Sequence, residues 1–350
     1  MPELLRGDAR HAVVERTRRL PAAGVERLVH VVHDRSRLRR AINRPTTPRA
    51  TTLRGVSATI GVIGIGRMGL PVCARLSKAG LDVVAGDRRP ECAPQARAVG
   101  ARWMPATLDV VEAADVLITV LPGSGELEDA MVTAIPVLRP GATWLDMTSA
   151  EPRLGRDLMQ RAERQGAACL EAPVGGGPDA AGSGTLQLFV GGPADVLERH
   201  RALLETLGTT THVGAHGAGY LTKLLVNTLW FAQAVALGET LVLGMRDGVD
   251  PRTLVTVIQH SAAANELVHS HGEALLSGDY LATYGLDRCC DQLDAVVRLA
   301  GEQGIPCELS STVQRAYRDA LARFGPVDGE LLPVARLQER SGVRLGEEPS

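Results

Sequence analysis

The sequence predicts an α/β protein: a doubly wound parallel sheet, followed by an all-helical C-terminal domain and joined to it by one long helix. Three observations carry this. From about residue 58 to 214, short β-branched runs alternate with apolar-periodic stretches, the pattern of right-handed βαβ units on a parallel sheet. The first run, ATIGVIGIG, stops in glycines at the mouth of a helical stretch. After about Gly214 strand patterns cease, and GYLTKLLVNTLWFAQAVALGETLVLGMRDG keeps helical periodicity for about thirty residues, well past the ~12 of an average helix.

Taken in order, ATIGVIGIG leads into the helical LPVCARLSKAG, and DVVAGD and DVLITVLP are buried-strand patterns with helical segments between them. TWLDMT and ACLEAP continue the series, with LQLFVGG and THVG as later strands of the same domain. Further helical patterns run to about Ser341. The expected organisation is an extension over 1–57, an α/β domain over 58–214, a helical domain over 215–342 and a tail over 343–350. Residues 1–57 are rich in arginine and end in RPTTPRATTLRG, whose prolines oppose helix and whose apolar content is too low to pack. Interspersed Glu3, Asp8, Glu15, Glu26 and Asp34 speak against a targeting arm, and favour an accessory extension or an early start.

Formal net charge is −2, so no strong field points to nucleic acid or a membrane. Neither partner is expected. The six cysteines show no CxxC spacing, which predicts reduced thiols in a cytoplasmic protein and no metal site.

Gly64, Ile65, Gly66, Arg67, Met68 and Gly69 spell GIGRMG between a strand and a helix. The first glycine permits a tight turn, the second lets a pyrophosphate approach the backbone and the third allows close helix–strand packing. The helix N-terminus then supplies amide donors to phosphate. Asp87 ends the next strand, at the position of a ribose-binding acid. The domain is therefore Rossmann-type and its cofactor NAD or NADP. Asp87 would favour NAD, whereas Arg88 and Arg89 would pair with a 2′-phosphate and favour NADP; both options stay open.

The glycine-dense EAPVGGGPDAAGSGTL suits main chain lining a small anion, or simply a flexible connection. Lys78 and Lys223 are the only lysines in a chain that otherwise uses arginine. Lys223 and Asn227 stand one helical turn apart. A lysine, unlike an arginine, can be tuned to release its proton, as hydride transfer at a carbinol carbon requires. A lysine merely snorkelling from an interdomain helix is the alternative.

Together these segments, from about Ile60 to Gly342, resemble the β-hydroxyacid dehydrogenase family, which includes 3-hydroxyisobutyrate dehydrogenase and tartronate semialdehyde reductase. GVIGIGRMGLPVCARLSKAG resembles its cofactor motif, EAPVGGGPDAAGSGTL its substrate loop and GAGYLTKLLVN its catalytic helix. The resemblance implies Lys223 as acid/base assisted by Asn227. It implies cofactor contacts at Leu121, Pro122, Ser149 and Cys290, and substrate contacts at Ser149, Gly175, Gly176 and Asp291. It also implies a homodimer or homotetramer. Three departures stand out: Gly175 where the family has a serine, Val226 for an asparagine, and Cys290 for the lysine of a late Lys-Asp-Leu motif.

The function expected is hydride transfer between NAD(P) and a small, carboxylate-bearing 3-hydroxy acid or its semialdehyde. An NADPH-dependent imine or ketone reductase and a non-catalytic dinucleotide-binding scaffold are the alternatives.

Overall fold

The computed structural model describes residues 58–347. The extension predicted over 1–57 lies outside the described residues.

The first half is the expected sheet. Its strands are β1 (Thr59–Ile63), β2 (Asp82–Gly86), β3 (Arg102–Trp103), β4 (Val116–Thr119), β5 (Thr143–Asp146), β6 (Ala168–Glu171), β7 (Val174–Gly175), β8 (Leu186–Gly191) and β9 (Gly208–Gly214). They lie in the order β3-β2-β1-β4-β5-β6-β8-β7, with β9 beside β8. The strands from β3 to β6 are parallel, β8 is antiparallel to β6 and β7, and β9 is parallel to β8. The run 3-2-1-4-5-6 reverses direction between β1 and β4, the switch point where this architecture binds its ligand.

Side-chain alternation feeds two cores. Ile60, Val62, Val83, Ala85, Ile118 and Leu145 face helices α1 (Gly69–Lys78), α2 (Ala93–Ala98), α6 (Gly177–Ser183) and α7 (Ala194–Leu207). Val84, Leu117, Trp144 and Cys169 face α3 (Thr107–Ala113), α4 (Ser124–Ala134) and α5 (Pro152–Arg164). Because both faces are covered, the strands read as unbroken apolar runs, not as alternating ones.

The long helix is α8, Ala218–Arg246. On length and hydropathy it could cross a bilayer, a test that core helices also meet; here Phe231, Ala234, Leu237 and Leu241 are buried in protein. Its C-terminal half packs with α9 (Pro251–Gln259), α10 (Glu266–Leu276) and α13 (Leu332–Ser341), and Phe231 packs with α11 (Leu286–Glu302) and α12 (Glu308–Phe324). Asp250 and Asn265 cap α9 and α10 by accepting the N–H groups of Thr253 and Val268, an interaction typically worth ~1 kcal/mol. The expected tail is corrected in part. Val343 and Leu345 are buried in the helical core, and Gln338 accepts the N–H of Leu345 at 2.9 Å; apolar side chains hold this stretch down.

Candidate active site

GIGRMG forms the turn from β1 into α1. Gly64 has φ +99°, and a Cβ there would strike the Val120 carbonyl; one on Gly69 would overlap the Gly64 carbonyl oxygen. A Cβ on Gly66 would meet nothing closer than 3.8 Å, so that backbone faces open space. Among the described residues, no protein acceptor takes the N–H groups of Gly66, Arg67 or Met68. Unclaimed donors at a helix start beside an open backbone fit a pyrophosphate.

Asp87 is buried below this loop. Its Oδ2 accepts the Ile65 N–H at 2.8 Å, and its Oδ1 accepts the Arg89 N–H at 2.9 Å. The Arg89 guanidinium closes on both oxygens at 3.0 and 3.1 Å. Burial alone would raise this carboxyl, but Arg89 and the two amides outweigh it and hold it below its usual value. The expected ribose acid is thus already engaged, and its partner is Arg89, not the exposed Arg88.

The Arg67 side chain reaches to the helical half. It donates to Thr283 O at 2.8 Å and pairs with Asp328, tying the loop to the helical half. Glu126–Arg288 at 2.6 Å, Glu151–Arg298 at 2.9 Å and Arg153–Glu302 at 3.1 Å cross the same cleft.

Between the halves lies a cavity of about 260 Å³, lined by Pro122, Ser149, Leu224, Tyr284, Arg288 and Gln292 among others. Asp291 also lines it. Leu121 stands behind Pro122, its N–H bonded to Thr148 Oγ1 at 3.1 Å. Gly175 and Gly176 lie outside this lining, at the junction of β7 and α6; Gly176 has φ +112°.

Lys223 projects from the first turns of α8. Glu171, buried at the end of β6, holds that helix start by accepting the N–H groups of Gly217 and of Tyr220, the latter at 2.8 Å. The Tyr220 hydroxyl in turn donates to Asp146 at 2.7 Å. Burial pushes Glu171 up to about 7, against the pull of the Tyr220 and Gly217 amides.

Lys223 Nζ donates to Asn227 Oδ1 at 3.0 Å. Desolvation brings its ammonium down to about 8, although Glu330 and Cys289 act to raise it. Lys78, by contrast, stands exposed at the end of α1. Asn227 Nδ2 donates to Gln292 Oε1 at 2.8 Å, and Gln292 Nε2 to the Tyr284 hydroxyl at 2.7 Å.

Cys290 requires a correction. It is buried among Phe231, Leu286, Leu293 and Val313 in the helical core and is not among the residues that line the cleft. Leu286, Cys289, Cys290, Leu293 and Val296 recur at helical spacing and form the inward face of α11. Asp291 and Gln292 are the residues turned to the cleft. The side chains at the cleft thus begin one residue later than the resemblance implies, a turn of ~100° around a helix. That apolar period was visible in the sequence and would have found Gln292. Tyr284 and Glu330 carried no such local signal.

Comparison with known proteins agrees with this layout. The family described as the NAD binding domain of 6-phosphogluconate dehydrogenase matches residues 59–215. That described as NAD-binding of NADP-dependent 3-hydroxyisobutyrate dehydrogenase matches residues 217–332. L-threonate dehydrogenase of Cupriavidus necator is 30% identical over 75% of this chain and 90% of its own. 3-Hydroxyisobutyrate dehydrogenase of Pseudomonas aeruginosa is 34% identical over 59% of this chain and 70% of its own. The solved 3-hydroxyisobutyrate dehydrogenase of Mycobacterium tuberculosis with L-serine superposes with a TM-score of 0.74 at 27% identity, covering 81% of this chain and all of that one. The glycine turn, the lysine helix and these matches spanning both halves lead to one statement: the chain belongs to the β-hydroxyacid dehydrogenase family of NAD(P)-dependent oxidoreductases.

Proposed function

We propose that the protein moves a hydride between NAD(P) and a small hydroxy acid or its semialdehyde, with Lys223 as the proton carrier. The observation that supports this best is Lys223 itself, held by Asn227 and brought down to about 8 by burial. A group poised near neutrality serves both directions of proton transfer. The nicotinamide, when bound, supplies or receives the hydride. In oxidation the neutral Lys223 amine accepts the carbinol proton, and Asn227 Oδ1 takes a hydrogen bond from the ammonium so formed. In reduction the ammonium returns that proton to the carbonyl oxygen. Gly66 and the amides of Arg67 and Met68 would cradle the pyrophosphate, and Ser149 would meet the substrate from the opposite wall. Relatives named L-threonate dehydrogenase and 3-hydroxyisobutyrate dehydrogenase favour a small hydroxy acid.

Gly175 favours a second reading, an imine or ketone reductase, since it removes the loop serine of the family. An imine reductase of Pseudomonas shares the fold, with a TM-score of 0.55 at 18% identity. The retained Lys223 weighs for the hydroxy acid. Nicotinamide absorbance followed over a panel of hydroxy acids, aldehydes and cyclic imines, with each cofactor, separates the readings. Turnover of imines alone would sink the first, and no turnover at all would leave a binding protein.

A second copy of the chain is the proposed partner, because Leu225, Val226 and Leu229 stand 44–61% exposed along α8. A monomeric mass by light scattering would exclude it. The cytoplasm is the proposed compartment, given unpaired and mostly buried thiols.

A further inference from the structure

The hydrogen-bonded chain that starts at Lys223 has a direction, and donor counting follows it to its end. A lysine ammonium only donates. Asn227 must therefore present its oxygen to Lys223, which leaves its NH₂ for Gln292. Gln292 must present its oxygen in turn, which leaves its NH₂ for Tyr284. The Tyr284 hydroxyl is thereby an acceptor at 2.7 Å, and its own proton is still to be placed. Among the described residues, no acceptor takes it. Tyr284 lines the cavity between the halves, together with Ser149 and Arg288, and its main chain is pinned there because its carbonyl accepts the Gly329 N–H at 2.9 Å.

Gly175, where the family resemblance implies a serine, lies outside this cavity lining. A Cβ on Gly175 would meet nothing nearer than Gln187 Oε1 at 3.6 Å, and this glycine does not have a positive φ. A serine would fit there without strain. The glycine is therefore not one the backbone requires.

We propose that Tyr284 is a specificity-determining residue whose phenol donates to a substrate oxygen other than the one served by Lys223. This rests on the hydroxy-acid reading above and narrows it. The phenol stands at the far end of the Asn227–Gln292 relay from the ammonium, and the oxygen assigned to it is a hydroxyl that the substrate carries besides its reacting hydroxyl and its carboxylate. The substrate class is a small hydroxy acid bearing an additional oxygen function.

The test compares 2,3,4-trihydroxybutanoate with 3-hydroxypropionate on the full chain, with NAD and NADP. In Tyr284→Phe the ratio of kcat/KM for the trihydroxy over the monohydroxy acid should fall about tenfold or more, mainly through KM. Sites that hydrogen-bond a substrate oxygen discriminate at least that strongly. Gln292→Glu should lower the same ratio with Tyr284 still in place. A carboxylate only accepts, so the phenol would turn to donate to it. A merely structural tyrosine would not respond in this way. An unchanged ratio in both variants overturns the proposal, as does an equal loss of kcat on both acids, which would put the phenol at the reacting oxygen. If the wild type oxidises neither acid, the hydroxy-acid reading is what fails. Calorimetry with 2,3,4-trihydroxybutanoate and the NADP-loaded protein then decides: binding about tenfold weaker to Tyr284→Phe supports the phenol's role, and equal or undetectable binding to both overturns it.

Discussion

In the dinucleotide loop, function rests on missing side chains. Gly64 and Gly69 are crowded by backbone on every side a Cβ would take, and the donors on offer are main-chain amides. At the cleft, the proposed function rests on a hydrogen-bonded chain from distant segments: Lys223 and Asn227 from α8, Gln292 from α11, and Tyr284 just ahead of it. The loop is specified by spacing along one short stretch. The cleft is specified by which face of a helix each residue occupies, and a one-residue shift there exchanges core for site. A local motif tolerates little variation and therefore says little about substrate, whereas an assembled face can change one member at a time.

The contrast should be broken most strongly by Lys223→Arg. It keeps the charge but cannot release a proton at working pH, so kcat should fall by about 10²–10⁴. Cofactor affinity, measured by fluorescence titration, should stay near wild type. Near-normal turnover would remove Lys223 from the mechanism. Gly69→Ala should do the reverse. Its Cβ would overlap the Gly64 carbonyl, and relieving such overpacking costs about 1–3 kcal/mol. Weaker cofactor binding and a lower Tm are expected, with Lys223 chemistry intact in whatever enzyme is saturated. An unchanged Tm and Kd would show that the turn has slack.

Arg89→Ala sharpens the picture inside the loop. Removing the guanidinium frees Asp87 for a ribose and deletes the cation nearest it. Charged hydrogen bonds are worth about 1.5–3 kcal/mol each, so the affinity ratio of NAD to NADP should rise about tenfold; a constant ratio would place the ribose elsewhere. The gentlest probe is pH. The Lys223 ammonium titrates at about 8, below its ordinary value. Oxidation needs the neutral amine, so its kcat should climb as pH rises towards 8 and level above it. Reduction needs the ammonium and should fall beyond the same point. A profile flat across pH 7–9 would assign the proton to another group. Stability should follow with its own sign: the folded chain releases this proton before the unfolded one, so Tm gains as pH rises from 8 towards the ordinary lysine value.

The sheet, the glycine turn and the long helix were legible because each is encoded by a local period or spacing. Asp87 was legible as a position, but its pairing with Arg89 was not, since the side chains could have turned either way. Cys290 was misplaced because a motif was matched by residue type, while the apolar repeat of Leu286, Cys289 and Leu293 already placed it inward. The contact from Tyr284 to Gln292 depends on where the chain enters α11, which no periodicity encodes.

Glu171 gives the layout a longer consequence. It fastens the start of α8 to the end of β6, so the proposed proton carrier, six residues past Gly217, is tied to the sheet through the start of its own helix. Mutations in α11 that spare Gln292 can reshape what the cleft accepts while leaving that lysine in register with the dinucleotide loop. The reaction and its substrate range are then separately heritable, and lineages can explore new acids without first losing the chemistry.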